Sequence, residues 1–353
     1  MDITIEELDI PARESGAAWD AFAQAIRLSN EVEAIRYGTP DLAYEPDEEL
    51  TQFHDAFSPH RLLVAHTEGV LAGVAFFETQ VGDDADSAWI TVEVLPAFER
   101  RGVGTALAEA IENITREADR PKALVYHAAR PHNGEQIVPP TGVGSLPAED
   151  RSVRFLLTRG YRLEQVERVS RLPLPVAGLD EMLTQAEAIS GPDYVVHTWQ
   201  GRCPDRWLED IALMNTRMST DAPTAGLEEP EDVWTVERVI ARDDAAEKNP
   251  RARVVAVVEH VPSGHLVGFT VISVPRQVHR APMQYATLVL REHRGHKLGM
   301  LIKAANLAHL ERVSPGHPSI ITFNAEENRH MLDVNEALGY MPIAVEGAWR
   351  KDL

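Results

Sequence analysis

Two tandem domains of α/β (α+β) character, each a mixed sheet flanked by helices, are predicted by three observations. The chain has 353 residues, where one domain usually takes about 100–200. Hydrophobic residues make up 44% of it and charged residues 25%, a balance that fills two sizeable cores. The most informative observation is an internal repeat in which hairpin, strand, turn and helix recur at one spacing. Gly73 and Gly268 lie 195 positions apart, and Gly104 and Gly299 lie 195 apart again.

The elements follow in order. Residues 19–35 and 204–218 read as the helices that open the two halves. The β-rich runs 61–66 and 70–77 flank a turn at Glu68-Gly69, and 253–258 and 266–271 flank Pro262-Ser263-Gly264, so both read as hairpins. A third strand follows at 88–95 and at 285–290. Each then meets a basic, glycine-containing turn and a helix. Leu107, Ile111, Ile114 and Ala118 form an apolar stripe at helical spacing, as do Leu298, Leu301, Ala305 and Ala308. Further strands are expected at 123–126 and 319–323. A short helix ending in glycine plus tyrosine closes each half, with Gly160 and Gly339 at C-cap positions that favour a left-handed backbone.

At that last block the spacing falls to 179, because the first half holds 16 extra residues. They lie within 130–150, a segment rich in Pro, Gly and polar residues that is expected to be loop. Leu172-Pro173-Leu174-Pro175 ends the last strand of the first half. The expected domains are therefore 1–175 and 176–353, with 179–189 a short linking helix.

Fifty-five acidic residues against 34 basic ones give a net charge of −21. Such a surface repels phosphate backbones and anionic membranes, so the expected partners include no nucleic acid and no membrane, and small cationic amines are the easier ligands. The lone Cys203 permits no intrachain disulfide, and it stands apart from any metal-ligand spacing, so no metal is expected. The first residues are acidic where a secretion signal is basic. The expectation is a cytoplasmic protein, monomeric or homodimeric.

The chemistry-bearing feature is the turn after the third strand of the hairpin unit. It reads Glu99-Arg100-Arg101-Gly102-Val103-Gly104 in one half and Arg294-Gly295-His296-Lys297-Leu298-Gly299 in the other. Backbone N–H groups converging at a helix start form an anion cradle, strengthened by the helix dipole. The turn is too short for a Walker loop, and hairpin strands precede it where a dinucleotide fold has a first strand.

On these residues each half resembles an acyl-CoA N-acyltransferase domain of the GNAT superfamily. The family's Arg/Gln-x-x-Gly-x-Gly/Ala signature is followed closely, except for Glu99 in the first half and Lys297 in a glycine position in the second. The lysine is expected to be tolerated on the condition that the turn needs no left-handed dihedral there. The resemblance implies a splayed, mostly antiparallel sheet in each domain, a bulge in the fourth strand, and acetyl-CoA as cofactor. Carried over residue by residue, it places Val94, Leu95, Arg100, Arg101, Gly102, Val103, Gly104 and Thr105 at the cofactor in the first half. In the second it places Val289, Arg294, Gly295, His296, Lys297, Leu298, Gly299, Asn324 and Asn328 there.

The implied reaction moves an acetyl group from acetyl-CoA to a primary amine of a small molecule, by direct attack in a ternary complex. The alternative is an acyl-CoA-binding sensor or scaffold with one or both domains inactive. A backbone N–H of the fourth strand, at Val94 or Leu95 and at Val289 or Leu290, is the implied contact to the acyl oxygen. Glu93 is the candidate base, although simple strand alternation also fits a solvent-facing residue. The tyrosine that often protonates the departing thiolate is absent from both halves. Leu156 and Asn335 stand four residues before the glycines instead, and Asn335 is left either to bond the thiolate or to cap its helix. With its signature arginine and its asparagines, the second half is the favoured site of transfer.

Overall fold

The computed structural model describes residues 2–82, 85–130, 133–221, 223–228 and 231–353, so positions 131 and 132 of the 130–150 insertion lie outside the described residues. In chain order the elements are β1 (Ile3–Glu7), α1 (Ala17–Tyr37), α2 (Pro46–Phe53), β2 (His60–Thr67), β3 (Val70–Thr79), β4 (Ser87–Val94), α3 (Val103–Glu117) and β5 (Lys122–Ala129). Then come β6 (Gln136–Ile137), β7 (Leu146–Pro147), α4 (Arg151–Thr158), β8 (Arg162–Pro173), α5 (Leu179–Ser190), β9 (Tyr194–Gln200), α6 (Leu208–Asp221) and α7 (Val236–Ala246). The chain ends with β10 (Ala252–His260), β11 (His265–Val274), β12 (Met283–Val289), α8 (Leu298–Val313), β13 (Ser319–Ala325), α9 (Arg329–Leu338) and β14 (Met341–Asp352).

Two compact units result. Unit 1 comprises Met1–Glu167, Thr224–Pro230 and Ala344–Leu353; unit 2 comprises Arg168–Pro223 and Glu231–Ile343. The position 175/176 falls inside unit 2, and the C-terminal residues return to unit 1.

The sheet of unit 1 runs β1-β2-β3-β4-β5-β14. Apolar residues on one face, including Leu63, Ala75, Phe77 and Ile90, pack against the stripe Leu107, Ile111 and Ile114 of α3. Those on the other face, including Leu62, Val64 and Val74, pack against Phe22 and Ile26 of α1 and Phe53 of α2. Both faces are covered, as a layered α/β domain requires. The insertion expected to be loop carries the two-residue ladder of β6 and β7, with a turn inside it closed by Gly142 N–H on Pro139 O at 3.0 Å.

Unit 2 orders its strands β8-β13-β12-β11-β10-β9. Phe269, Val271 and Leu288 pack against Trp207 and Ile211 on the side of α6, while Val254, Ile272 and Ile320 pack against Ala304 and Leu307 of α8. Gly339 ends α9 at φ 101° and Gly160 follows α4 at φ 84°, the left-handed conformations expected of them.

Both sheets open at a parallel pair. β4 pairs with β5 only from Ser87↔Lys122 to Trp89↔Leu124, and β12 pairs with β13 only at Met283↔Ile321 and Gln284↔Thr322. Beyond these points the strands part. The bulge is present in one unit alone. The β11–β12 register moves from Thr270↔Thr287 to Ile272↔Gln284, so β12 spends one residue more than its partner. In β4 the register runs unbroken from Gly73↔Val94 to Thr79↔Ala88, which corrects the expectation of a fourth-strand bulge in the first half.

Candidate functional site

The turn from strand to helix has the same backbone shape in both units, built from different residues. Positive φ falls on Arg100 (61°) and Gly102 (91°) in unit 1, and on Gly295 (89°) and Lys297 (59°) in unit 2. Gly102 and Lys297 are the N-cap residues of α3 and α8. The expectation that the turn needs no left-handed dihedral at Lys297 is therefore corrected: it does, and the lysine adopts one.

Each helix then starts in a way that suits an anion. Ala106 N–H bonds Gly102 O, and Leu301 N–H bonds Lys297 O, both at 3.0 Å. The preceding N–H groups, those of Val103, Gly104 and Thr105 and of Leu298, Gly299 and Met300, have no acceptor within their helix. A Cβ on Gly104 meets nothing nearer than Val94 Cγ2 at 3.6 Å, and one on Gly299 nothing nearer than Val334 Cγ2 at 3.9 Å. Internal packing does not demand glycine at either position, whereas a diphosphate lying on the N–H groups does. The turns fit such a group.

Alternate N–H groups of the fourth strands face the splay. Leu95 N–H is bonded to Ala72 O at 3.0 Å and Leu290 N–H to Val267 O at 2.9 Å. Both are thereby engaged by the neighbouring strand, which corrects the assignment of Leu95 and Leu290 as contacts to the acyl oxygen. Alternation along an antiparallel ladder turns the adjacent Val94 and Val289 N–H groups the other way, into the gap. The same alternation exposes Val92 O and Val289 O on that side, where Arg36 Nη2 and Arg294 Nε reach them at 3.2 and 3.1 Å.

Around this frame the charged residues of unit 1 form a buried acidic group. Glu93 is only 1% exposed, not solvent-facing, and its Oε1 pairs with Arg36 Nη1 at 3.1 Å. Its Oε2 is buried without a hydrogen-bond partner among the described residues. Burial raises the Glu93 pKa against the opposing pull of Arg36. Burial and the neighbouring Glu93 push the Glu33 carboxyl well above its usual range. Glu346, to which Tyr37 donates at 2.9 Å, is raised to about 7 by burial. The expected signature position Glu99 turns instead to Arg151, at 2.7 Å. Arg101 stacks its guanidinium over Phe98 at 5.6 Å.

A cleft opens between β4 and β5, lined by Val92, Ala108, His127, Phe155, Leu156 and Tyr161 among others. Burial lowers His127 to about 4, so it stands neutral there.

In unit 2, Arg294 is held by Asp221 Oδ2 at 2.9 Å as well as by Val289 O, and Arg291 takes the other carboxylate oxygen at 3.1 Å. Arg294 thus braces the turn. His293 and His296 stack around Tyr194, whose hydroxyl meets His293 Nδ1 at 3.0 Å. Asn335 Nδ2 donates to Asn324 Oδ1 at 2.6 Å, bringing those two residues together. Asn328 lies apart from that pair in role: its side chain caps α9 by accepting Met331 N–H at 3.3 Å. The Asn335 side chain, expected either to cap or to face the thiolate, makes no cap bond among the described residues, where only its backbone oxygen accepts the C-cap Gly339 N–H, and its Oδ1 is buried without a partner there.

Sequence reasoning missed Arg36, Glu346 and Lys303. Nothing local marks the first two, which arrive from α1 and from the C-terminal strand. Lys303 did leave a signal, a lone cation in the apolar run Met300-Leu301-Ile302-Lys303-Ala304-Ala305.

Comparison with known proteins agrees with this geometry. Residues 26–134 match the Acetyltransferase (GNAT) family. A mycothiol acetyltransferase of Salinispora arenicola is 27% identical over 302 residues, covering 82% of this chain and 81% of its own. Among solved structures, a tandem GNAT protein from the clavulanic acid biosynthesis pathway superposes with a TM-score of 0.75 at 22% identity, covering 99% of this chain and 98% of its own. A GCN5-related N-acetyltransferase from Sphaerobacter thermophilus gives 0.63 at 16% identity, covering 99% and 95%. Residues 26–134 thus match the model of the Acetyltransferase (GNAT) family, and along its whole length the chain has the fold of a tandem GNAT protein.

Proposed function

We propose that this chain transfers an acetyl group from acetyl-CoA to a primary amine of a small molecule, by direct attack in a ternary complex, and that unit 2 performs the transfer. The observation that carries the assignment is the bulge of β12 at the mouth of the splay, with Val289 N–H turned into the gap beside the start of α8. When bound, acetyl-CoA supplies an activated acyl group as a thioester. The N–H groups of Leu298 and Gly299 and the charge of Lys297 hold its diphosphate. Val289 N–H stabilises the charge that grows on the acyl oxygen, an effect worth about 3 kcal/mol in comparable sites.

The turn of unit 1 is a second acetyl-CoA site in this reading, with Val103, Gly104 and Thr105 as donors. Transfer in unit 1 is the second reading, favoured by Glu93. A buried carboxylate with a raised pKa serves as a general base near neutrality, and the acidic group around it attracts a cationic amine.

Gly104→Asp and Gly299→Asp, made separately, decide between the units. A Cβ at either position meets no close neighbour, so each variant is expected to fold, while the new carboxylate lies where the diphosphate rests in this reading. Assays of thiol release with an amine library are expected to fail for Gly299→Asp and persist for Gly104→Asp. The opposite pattern assigns transfer to unit 1. Undiminished acetyl-CoA binding in the double variant removes the cofactor from both turns.

A further inference from the structure

The two units can be laid over one another position by position at the splay, and one difference stands out. In unit 1 the cleft wall includes Ala108, Phe155, Leu156 and Tyr161. The repeat spacings place Lys303, Val334, Asn335 and Tyr340 at those positions in unit 2. Packing supports the correspondence, since Gly104 faces Phe155 at 3.9 Å and Gly299 faces Val334 at 3.9 Å. Lys303 lies four residues after Gly299, on the same face of α8.

At the four matched positions unit 1 carries three apolar side chains and a tyrosine whose hydroxyl is bonded, whereas unit 2 carries Val334 and three polar side chains. Tyr161 donates to Glu112 at 3.0 Å, and Glu112 is also held by Arg159 and Lys351. In unit 2 the Tyr340 hydroxyl and Asn335 Oδ1 are buried without partners among the described residues. Lys303 is 1% exposed, its Nζ lies 5.4 Å from the centre of the Tyr340 ring, and burial lowers it to about 7, with no ion pair to it among the described residues. A buried, unpaired ammonium is costly, and an anion brought to it removes that cost.

We propose that Lys303 is the proton donor to the departing sulfur in unit 2, taking over from α8 the role of the tyrosine that Asn335 replaces on α9. This rests on the reading that unit 2 holds acetyl-CoA. As the amine nitrogen bonds the acyl carbon and the carbon–sulfur bond breaks, the electron pair stays on sulfur and takes a proton from the Lys303 ammonium. The proton lost by the amine passes to water, and Lys303 is reprotonated from water before the next turnover. Asn335, fixed by Asn324, positions the sulfur and is not itself the donor.

A binding experiment tests this without turnover. In the full chain carrying Gly104→Asp, so that only unit 2 binds, CoA and desulfo-CoA are titrated by calorimetry at pH 8. The pair is compared in the Lys303 protein and in Lys303→Met. The expected result is that Lys303→Met weakens CoA about tenfold, the equivalent of one pKa unit of thiolate stabilisation, and leaves desulfo-CoA within about twofold. Lys303→Arg is expected to restore most of the difference, and CoA affinity in the Lys303 protein to rise with pH up to about 7 and to level off above it, because the bound ammonium–thiolate pair keeps one proton. Equal effects on the two ligands, or no effect on either, overturn the proposal while leaving unit 2 as a CoA site. Failure of both ligands to bind the Lys303 protein overturns the reading beneath it. Should Lys303→Met fail to fold, Lys303→Gln carries the same comparison.

Discussion

Lys297 occupies in unit 2 the place of Gly102 in unit 1, and both cap their helices in the left-handed conformation, at φ 59° and 91°. A side chain in that region costs about 1–2 kcal/mol, so the lysine is kept against a local preference. In the proposed function its positive charge at the start of α8 meets the diphosphate, which is what offsets that cost.

Lys297→Gly is therefore expected to stabilise unit 2 by about 0.5–1 kcal/mol, part of the relieved strain being offset by the entropy of a new glycine. It is also expected to weaken acetyl-CoA binding in proportion to the lost charge. Chemical denaturation and calorimetry on one sample check both signs. A variant that loses stability shows that the lysine's contacts outweigh its backbone strain.

Two matched glycines set the distance between strands three and four. A Cβ on Gly73 falls 2.6 Å from Glu93 O and 3.0 Å from Leu107 Cδ1, while one on Gly268 falls 2.9 Å from Leu288 O and 3.1 Å from Val258 Cγ1. The first contact is with backbone and cannot yield without moving β4. Gly73→Ala is expected to cost about 2–3 kcal/mol, the range of overpacked cores, and Gly268→Ala less. Denaturant midpoints that rank the two in reverse order refute this account.

The acidic group of unit 1 makes stability depend on pH with a definite sign. Glu346 ionises near 7 in the folded chain against an ordinary 4.5, because it is buried. The native state holds its proton more tightly than the unfolded state does. Its contribution to stability is complete below 4.5 and is lost as pH rises through about 7. Glu346→Gln is neutral throughout and still accepts from Tyr37. It is expected to match the parent near pH 4.5 and to exceed it by up to about 3 kcal/mol near pH 8. Thermal melts across that range test it, and a gain that is constant with pH contradicts it.

Much of the fold was legible because its signals are local. Hairpins, the apolar stripes of α3 and α8, and the glycine caps at Gly160 and Gly339 each depend on a few neighbouring residues, and the repeat confirmed them twice. The glycine-containing turns before α3 and α8 were legible for the same reason. What escaped is non-local. Glu93 joins an ion pair with a residue 57 positions away, and the strand alternation visible in sequence says nothing about which helix covers a face. Which N–H faces the splay depends on ladder phase, so Leu95 and Val94 look equivalent until their partners are known. The interleaving of the units left no mark at all, since β14 reads as an ordinary closing strand of its own half.

That interleaving yields the last prediction. From Val345↔Ala129 to Asp352↔Lys122, β14 pairs antiparallel with β5, and Trp349 on it is 0% exposed within the core that holds Leu107, Leu146 and Leu163. Lys351 Nζ reaches Glu112 at 2.9 Å, and Arg350 donates to Gly226 O at 2.9 Å, so the strand is tied to unit 1 from Val345 onward. Trp349→Ala is expected to cost about 3–5 kcal/mol, as for other buried aromatic truncations, and to place that cost in unit 1 although the residue lies at the far end of the chain. Hydrogen exchange read by mass spectrometry locates the effect. Amides of β4 and β5 are expected to lose protection while those of β10 and β11, which share no core with Trp349, keep theirs. Loss of protection beginning in β10 and β11 instead shows that the closing strand serves the half in which it is encoded.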